Sequence, residues 1–414
     1  MGRREWRVGS EEWGVKSGEW KVGSGEWGVE SGEWKVESGK WGVESGWFKE
    51  MNMSKRIIIA GGGTGGHIFP AIAIANALKS LDPAVDILFV GAKGKMEMEK
   101  VPQAGYRIEG LDIAGFNRSS LIKNISLPFK LIKSFWQVRD IIRRFQPQAV
   151  IGVGGYSSFP VLRYAQAKGI PSFIHESNSF AGKSNILLGK KATRIYVAGE
   201  GMEKFFPAEK MLVTGNPVRQ SIVQARPDRQ EALAGFGLDA GKTTVLVVGG
   251  SLGARSINEA IDQGLDQLMQ ANLQLIWQTG KPYGEKARKA AAGKAGVWVG
   301  EFITQMENAY AAADMVVARS GAMTVAELTV VKKPVLFVPY PFAAEDHQTV
   351  NAQQLVEKKA AMLVKDSEAA TQLIPKLLEL TKDATKLEAM RNNMATLGIT
   401  DADMRVARDI MQKL

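Results

Sequence analysis

RIIIAGGGTGGHIFPAIAIANALKSL, residues 56–81, contains a short apolar strand, a glycine loop and a helix in that order. The same order returns in TTVLVVGGSLGARSINEAIDQGLDQLM, residues 243–269. Other short apolar runs, among them DILFV, AVIGVGG, MVVARSG and PVLFVPY, alternate with helix-like segments. Continuous apolar strands that alternate with helices are typical of parallel sheets covered on both faces. The pattern therefore predicts an α/β protein with two Rossmann-like domains that face a cleft.

The length of 414 residues is too great for one ordinary core. We expect a leader over residues 1–52, an N-terminal domain over 53–217 and a C-terminal domain over 218–400. A final helix over about 401–414 could pack back on the N-terminal domain.

Composition limits the chemistry that the chain can perform. It has no cysteine and three histidines, which excludes disulfides and cysteine nucleophiles and disfavours a multi-histidine metal centre. Lys and Arg number 53 against 43 Asp and Glu, and this formal charge of +10 favours anionic partners. No apolar run approaches the roughly 20 residues of a membrane span, so we expect a soluble or peripheral protein.

The first fifty residues differ from the rest of the chain. Tryptophan recurs every seven residues from Trp6 to Trp41, in units such as EWGVKSG and EWKVESG. A coiled coil needs two apolar seams, and glycine at this density breaks helices. We therefore predict a disordered low-complexity leader, which could come from translation of a repeat upstream of a start at Met51 or Met53. The alternative is a β-prone, Trp-rich adhesive segment.

Both glycine loops lie between a strand and a helix. In the first, Gly61, Gly63 and Gly66 have the G-x-G-x-x-G spacing that lets backbone amides approach a phosphate. A dinucleotide also needs an acid after the second strand, but residues 86–95, DILFVGAKGK, end in glycine and lysine. Together with the second loop, residues 249–253, this predicts two phosphorylated ligands that meet in the cleft. The alternative is that the glycines only permit tight turns and close packing.

The histidines lie beside other polar residues. His67 follows the first loop at a helix start, which would lower its pKa and favour a neutral general base. The alternative is a capping or packing histidine. His175 precedes Glu176 at a strand end, and Glu176 could orient a histidine or cap a helix. His347 lies in AAEDHQTVNA, an expected helix start at the cleft, where Asp346 could alternatively be a surface cap.

Two further segments suit a nucleotide. In SGAMTVAEL, small residues before a helix leave amides open to a phosphate, and Glu327 could bind two vicinal ribose hydroxyls. The alternative for Glu327 is a solvated helix acid. In TGNPVR, Arg219 could pair with phosphate or tie the linker to a sheet edge.

Residues 116–136, FNRSSLIKNISLPFKLIKSFW, interleave apolar side chains with Arg and Lys and contain no acid. An apolar surface rimmed by lysines suits the interface of an anionic membrane. The alternative is a core-packing helix with solvated lysines. We expect no nucleic-acid partner, because the aromatic residues are spaced for burial rather than for base stacking.

Seven segments in chain order carry a resemblance: GGGTGGHIFPAIAIA, IGVGGYSSFP, HESNSFAGKSN, TGNPVR, VVGGSLGAR, SGAMTVAE and AAEDHQTVNA. From about Lys55 onward, the chain resembles the bacterial UDP-N-acetylglucosamine transferases of peptidoglycan synthesis, which make lipid II from lipid I. The resemblance implies the GT-B arrangement, with the lipid-linked acceptor on the N-terminal domain and the donor on the C-terminal domain. It also implies an inverting transfer to the C4 hydroxyl of the muramoyl sugar of undecaprenyl-pyrophosphoryl-MurNAc-pentapeptide.

The resemblance further implies roles for individual residues. His67 and Glu176 would be catalytic, with His67 as the base that deprotonates the acceptor hydroxyl. Glu327 would hold the ribose, Gln348 would recognise the N-acetylglucosamine hydroxyls, and Ile303 would hold uracil through its backbone. HESN has Ser177 where many members have glutamine. The residues implied in donor binding are Thr64, Gly65, Gly66, Asn178, Arg219, Ser251, Ile303, Ala322, Met323, Thr324, Val325, Ala326, Glu327 and Gln348.

No cofactor and no metal are expected, since helix-end amides are thought to stabilise the leaving group in this family. Expected partners are the donor, lipid I, the anionic membrane surface through residues 116–136, and other cell-wall synthesis and division proteins. The expected location is the cytoplasmic face of the bacterial inner membrane. The alternatives are another UDP-sugar transferase or a UDP-N-acetylglucosamine epimerase of the same fold, or a non-catalytic, membrane-docked nucleotide-binding module.

Overall fold

The structure, a computed structural model, describes residues 54–115 and 127–414, together with strands between residues 5 and 42. The chain divides into two compact units, Met1–Ser54 and Lys55–Leu414. Residues 116–126, the first half of the basic apolar stretch, lie outside the described residues.

In the first unit the Trp repeats form an antiparallel meander. The strands are β1 (Glu5–Val8), β2 (Glu11–Lys16), β3 (Glu19–Val22), β4 (Gly25–Glu30), β5 (Glu33–Val36) and β6 (Gly39–Gly42), each paired with the next. The register sets Trp6 opposite Trp13 and Trp20 opposite Trp27. The physical reason is that Trp and Val stand two residues apart, which is the period of a strand. The short glycine-containing connections suit hairpins.

The second unit begins with a parallel sheet, the first lobe. Its strands are β7 (Arg56–Ala60), β8 (Asp86–Ala92), β9 (Arg107–Leu111), β10 (Ala149–Gly152), β11 (Ser172–Glu176), β12 (Arg194–Val197) and β13 (Met211–Val213). Its helices are α1 (Gly65–Leu81), α2 (Glu97–Gln103), α3 (Leu127–Phe145), α4 (Ser158–Ala167) and α5 (Lys183–Gly189). The strand order is β13-β12-β11-β10-β7-β8-β9. The order reverses between β7 and β10, and open α/β sheets bind ligands outside the strand ends at such a switch point.

A second parallel sheet forms the second lobe. Its strands are β14 (Thr243–Val248), β15 (Leu273–Gln278), β16 (Val297–Gly300), β17 (Met315–Ala318), β18 (Val335–Phe337) and β19 (Ala361–Leu363). Its helices are α6 (Gln220–Val223), α7 (Arg229–Gly235), α8 (Arg255–Gln270), α9 (Gly284–Ala291), α10 (Met306–Ala312), α11 (Ala322–Val331), α12 (His347–Glu357), α13 (Ala369–Lys382) and α14 (Ala384–Ala395). The order β16-β15-β14-β17-β18-β19 is that of a Rossmann fold, with its switch point between β14 and β17.

Strand β7 shows why these sheets are covered on both faces. Ile57 and Ile59 belong to the core cluster that includes α1, whereas Ile58 belongs to the cluster that includes α3 and α4. Side chains alternate along a strand, so the continuous apolar run RIIIA supplies both cores. The prediction of two parallel-sheet α/β lobes is confirmed.

The last helix, α15 (Ala402–Gln412), returns to the first lobe. Val406, Ala407 and Ile410 lie in the same core cluster as the α1 side chains. Tyr196 on β12 donates its hydroxyl proton to Asp409 at 2.9 Å. The chain therefore crosses between the lobes twice, before α6 and again after α14. Among the described residues, no helix combines the length and the apolar character that crossing a bilayer requires.

Candidate active site between the two lobes

His67 is held by the glycine loop that precedes it. Its Nδ1 atom lies 3.0 Å from the Gly62 carbonyl oxygen and 3.4 Å from Thr64 Oγ1. A carbonyl oxygen can only accept, so this network assigns the proton of the neutral imidazole to Nδ1 and leaves a lone pair on Nε2. Thr64 is the N-cap residue of α1, and Gly65 and Gly66 follow in its first turn. Amides at this end have no acceptor within the helix.

Gly154 leaves room beside the Nε2 lone pair. It follows β10 with φ +96°, and a Cβ atom placed on it would lie 2.8 Å from His67 Nε2 and 2.7 Å from Cδ2. The Gly62 amide donates to the Gly154 carbonyl at 3.3 Å, so the loops after β7 and β10 meet at the imidazole. A side chain at position 154 would occupy this space, and its backbone conformation favours glycine.

Burial is the main influence on the His67 imidazole. Loss of water lowers its pKa from the usual value, and the nearby His347 lowers it further. The hydrogen bond to Gly62 and the carboxylates of Glu176 and Glu97 oppose this shift. The sequence-based expectation of a lowered pKa had assumed the helix N-terminus as its cause, whereas desolvation is the largest cause in the structure. A neutral imidazole near neutral pH is consistent with a general base.

Glu176 organises the loop that follows β11. Its Oε1 accepts from the Asn178 backbone amide at 3.0 Å, and its Oε2 accepts from the Gly182 amide at 3.0 Å and from Asn185 Nδ2 at 2.8 Å. These three donors fix the orientation of the buried carboxylate and hold the loop in place. Among the described hydrogen bonds none joins Glu176 to His67. The geometry therefore supports a positioning role for Glu176 in the loop that contains Asn178.

The same loop contacts the second lobe through Asn351 on α12. Asn351 Oδ1 accepts from the Ser179 amide at 3.0 Å, and its Nδ2 lies 3.4 Å from Asn178 Oδ1 and 3.2 Å from the Ser320 carbonyl oxygen. Ser179 also donates to Gln354 Oε1 at 2.7 Å. Asn178 is therefore at the boundary between the lobes, beside the start of the SGAMT segment.

Arg219 and Glu327, predicted separately as nucleotide ligands, are paired with each other. Arg219 Nε and Nη2 lie 3.1 and 2.9 Å from Glu327 Oε1. Tyr310 on α10 donates its hydroxyl proton to Glu327 Oε2 at 3.0 Å. The Arg219 guanidinium also stacks over the ring of Phe69 on α1, 5.3 Å from its centre. The pair thus links the helix after the first glycine loop to the second lobe.

The SGAMT segment forms the start of α11. Neither α11 nor α8, which follows the second glycine loop, has an acid in its first turn. Their N-terminal partial charges are therefore uncompensated by acidic side chains, which favours anions. Ala322, Val325 and Ala326 line a cavity of about 310 Å³ at the boundary of the lobes, whereas Glu327 extends toward Arg219. Three residues of the predicted segment therefore line the cavity, whereas Glu327 pairs with Arg219.

The remaining predicted residues lie in the second lobe. Ser251 is exposed in the second glycine loop, and a Cβ on Gly253 in that loop would overlap the Thr279 carbonyl. Close packing therefore explains part of this glycine pattern. Ile303 is buried in the core of the second lobe.

Gln348 lies next to the start of α11. Its Oε1 accepts from the Tyr340 amide at 3.0 Å, and its own carbonyl accepts from the Ser320 hydroxyl at 2.8 Å. Met323 and Thr324, in the first turn of α11, are half-buried.

Three site residues were missed in the sequence. Glu97 is buried against the first loop, Tyr310 holds Glu327, and Asn351 bridges the lobes. Asn351 lies in the quoted AAEDHQTVNA segment, four residues after His347. An asparagine at that position does not by itself indicate a contact between the lobes. Nothing in the sequence around Tyr310 could have indicated its contact.

Within residues 54–115 and 127–414, no group of three or more His, Asp or Glu side chains could hold a metal ion.

Comparison with known proteins agrees with this geometry. Residues 57–197 match the glycosyltransferase family 28 N-terminal domain, and residues 244–406 match the glycosyltransferase family 28 C-terminal domain. This chain belongs to glycosyltransferase family 28. It is an enzyme of the transferase class, and both matched regions include the motifs that form the cleft.

Two named relatives are similar to this chain over most of its length. A Bacteroides fragilis protein named UDP-N-acetylglucosamine--N-acetylmuramyl-(pentapeptide) pyrophosphoryl-undecaprenol N-acetylglucosamine transferase is 50% identical over 86% of this chain and 95% of its own length. The protein of the same name from Phocaeicola vulgatus is 50% identical over 87% of this chain and 97% of its own length. The crystal structure of Acinetobacter baumannii MurG matches with a TM-score of 0.71 and 29% identity, covering 87% of this chain and 100% of that one. The family resemblance inferred from the motifs is confirmed.

A solved UDP-N-acetylglucosamine 2-epimerase has a TM-score of 0.61 at 14% identity, covering 88% of this chain and 96% of that one. At this identity the likeness shows a shared fold and nothing further.

Proposed function

We propose that this transferase moves N-acetylglucosamine from UDP-N-acetylglucosamine to the C4 hydroxyl of the muramoyl sugar of undecaprenyl-pyrophosphoryl-MurNAc-pentapeptide, converting lipid I to lipid II. The observation that carries the proposal is the 50% identity over 95% of the length of a relative named for this reaction. The two regions that match the family contain both glycine loops, His67 and Glu327. The donor would bind the second lobe and the acceptor the first, so that the reacting atoms meet at the cleft.

The His67 tautomer supports its role as the base. Because Nδ1 is engaged by the Gly62 carbonyl, Nε2 is the atom that would take the proton from the C4 hydroxyl. The acceptor oxygen then forms a bond to the anomeric carbon as the bond from that carbon to the UDP oxygen breaks. Attack from the face opposite UDP inverts the configuration from α to β, and UDP leaves with the electron pair of the broken bond.

The leaving diphosphate gains negative charge in this step. The acid-free N-terminal ends of α11 and α8 would stabilise it, since their amides and partial charges are fixed before the reaction begins. Glu327 would accept hydrogen bonds from the ribose hydroxyls, with Arg219 and Tyr310 holding its carboxylate.

Radiolabel transfer from UDP-N-acetylglucosamine to a lipid I analogue tests the proposal directly. We expect transfer by the wild type and, in His67→Ala, a loss of turnover of about a hundredfold or more with UDP affinity kept. A protein that converted the donor without any lipid acceptor would be an epimerase. One that bound UDP without turnover would be a nucleotide-binding module. Reaction with UDP-glucose or UDP-galactose would contradict the role of Gln348 in donor selection.

Helix α3 supports a membrane-facing role for the first lobe. Phe129, Ile132 and Trp136 are 74%, 58% and 60% exposed, and they lie in the described half of the basic apolar stretch. Lys130 is exposed among them, whereas Lys133 pairs with Asp112 at 2.9 Å. Exposed large apolar side chains beside lysines suit insertion into an anionic lipid surface. We place the enzyme at the cytoplasmic face of the inner membrane, where its lipid acceptor lies.

Vesicle co-sedimentation tests the membrane contact. Phe129→Ser with Trp136→Ser should abolish binding to phosphatidylglycerol vesicles, because the inserted apolar area is lost. Leu187→Ser removes a side chain that is also exposed, on α5, and serves as the control that should keep binding. Equal loss in the control, or unchanged binding in the double variant, would contradict the assignment to α3.

A further inference from the structure

Glu97 is a buried acid beside the first glycine loop. It begins α2 and is 1% exposed. Its Oε2 accepts from the Gly63 amide at 2.8 Å, and its Oε1 accepts from the Ala92 amide at 3.0 Å. Burying a carboxylate is costly, and among the described residues no Lys or Arg pairs with it. Its two backbone donors instead tie the carboxylate to the first glycine loop and to the end of β8.

Glycines form the socket that admits this carboxylate. A Cβ on Gly62 would overlap the Glu97 carboxylate, and a Cβ on Gly91 would lie 2.5 Å from its Cγ. The backbone of both the loop and β8 therefore comes directly against the acid. Part of the glycine pattern in the first loop thus serves contact with a side chain of the protein itself.

The decisive geometry is that one peptide group joins Glu97 to His67. The Gly63 N–H and the Gly62 C=O belong to the same peptide unit. Its N–H donates to Glu97, and its C=O accepts from His67 Nδ1 at 3.0 Å. Hydrogen bonds in such a chain polarise one another, so the carboxylate makes the Gly62 carbonyl a stronger acceptor. A stronger acceptor holds the Nδ1 proton and favours the imidazolium that forms when Nε2 takes a proton.

We infer that Glu97 is a positioning residue for the transfer step, which fixes the His67 tautomer and stabilises its protonated form through the Gly62–Gly63 peptide group. The inference rests on the proposed function of His67 as the base. In this arrangement a backbone amide stands between acid and histidine, where many hydrolytic triads have a direct contact.

Several charged groups face His67, and they set the sign of the expected pH effect. The carboxylates of Glu97 on α2 and Glu176 on β11 raise its pKa, and His347 at the start of α12 lowers it. The buried His175 interacts with His67 as well. Removing the Glu97 charge alone should therefore lower the His67 pKa and move the acidic limb of the kcat profile to lower pH.

Glu97→Gln is the first variant to measure, in the lipid I transfer assay. We expect kcat to fall about tenfold or more, the KM for UDP-N-acetylglucosamine to stay within about twofold, and the acidic limb of kcat to shift to lower pH. In a His67→Ala background the same change should cost nothing further in kcat, because the residue acts only through the imidazole. Glu99→Gln is the matched control, since Glu99 is on the same helix but exposed, and its profile should match the wild type.

Further loss of kcat in the His67→Ala background, or an unshifted acidic limb, would overturn the inference and leave Glu97 with a structural role. If Glu97→Gln does not fold, Glu97→Asp decides the matter, because it keeps the charge and shortens the reach. It should lower kcat at an unchanged donor KM and again add nothing to His67→Ala; an additional loss there contradicts the inference. Full activity of His67→Ala by itself would instead refute the proposed base.

Discussion

Removing the hydroxyl of Tyr310 should weaken donor binding while leaving the chemical step nearly unchanged. Tyr310 is 2% exposed, and its hydroxyl is 3.0 Å from Oε2 of Glu327, which is itself 8% exposed. Arg219 engages the other oxygen, Oε1. In Tyr310→Phe the carboxylate keeps its cation but loses the donor that fixes its orientation. A hydrogen bond to a charged group contributes about 1.5–3 kcal/mol. If the pair rearranges in part, the loss should be near the lower end of this range, about 1.5 kcal/mol, which corresponds to a change of roughly tenfold.

We therefore expect the KM for UDP-N-acetylglucosamine and the Kd for UDP to rise about tenfold in Tyr310→Phe, with kcat within about threefold of wild type. Initial rates with varied donor at saturating lipid acceptor, together with UDP calorimetry, measure both quantities. Tyr196→Phe is the matched control, because its hydroxyl also donates to a carboxylate, Asp409, but in the first lobe between β12 and α15. It should lower the melting temperature and keep the donor KM. Equal donor KM in both variants would refute the placement of the ribose at Glu327.

Two further predictions concern the first lobe. Burial lowers the pKa of His175 to about 4, so between that value and the unfolded value near 6.5 the unfolded chain binds the extra proton. The neutral, buried His175 therefore contributes fully to stability above pH 6.5, and this contribution is lost as the pH falls. From pH 7 to pH 5 the free energy of unfolding should decrease by about 2 kcal/mol for this reason. His175→Gln should remove that part of the pH dependence in urea unfolding, and an unchanged difference would show that His175 is accessible to protons. Gly154→Ala should lower kcat without changing UDP affinity, because its Cβ would enter the space beside His67 Nε2. Gly169→Ala, at φ +72° with no atom near its Cβ, controls for backbone strain, and an equal kcat loss there would contradict the steric reason.

The parts of the fold that could be predicted are those set by local pattern. Strand β7 and helix α1 follow from the apolar run RIIIA, the glycine loop and the apolar helix after it. Arg219 and Glu327 could each be selected from their motifs, but not as partners. They stand 108 positions apart, and only the packing of the lobes brings them together.

Burial was the other quantity that the sequence could not supply. KMEMEK contains Glu97 and Glu99 two residues apart, and both read as solvated acids near a helix start. In the structure Glu97 is buried in its glycine socket, whereas Glu99 is exposed and pairs with Lys100 at 3.0 Å. Only the packing of β8 and the first glycine loop against Glu97 distinguishes it from Glu99.

The first glycine loop, predicted like the second to approach a phosphate, has three backbone amides that are bonded within the protein. In the first loop the Gly61 amide donates to the Val90 carbonyl, the Gly62 amide to the Gly154 carbonyl, and the Gly63 amide to Glu97. These three amides are bonded within the protein, and the Gly62 carbonyl of the same loop contacts His67 Nδ1. We therefore expect this part of the loop to position the base. The starts of α1, α8 and α11 all lack an acid in the first turn, which favours anions at each of them. We therefore expect the donor diphosphate at the starts of α8 and α11 and the base at the first loop, so that the transfer takes place across the cleft.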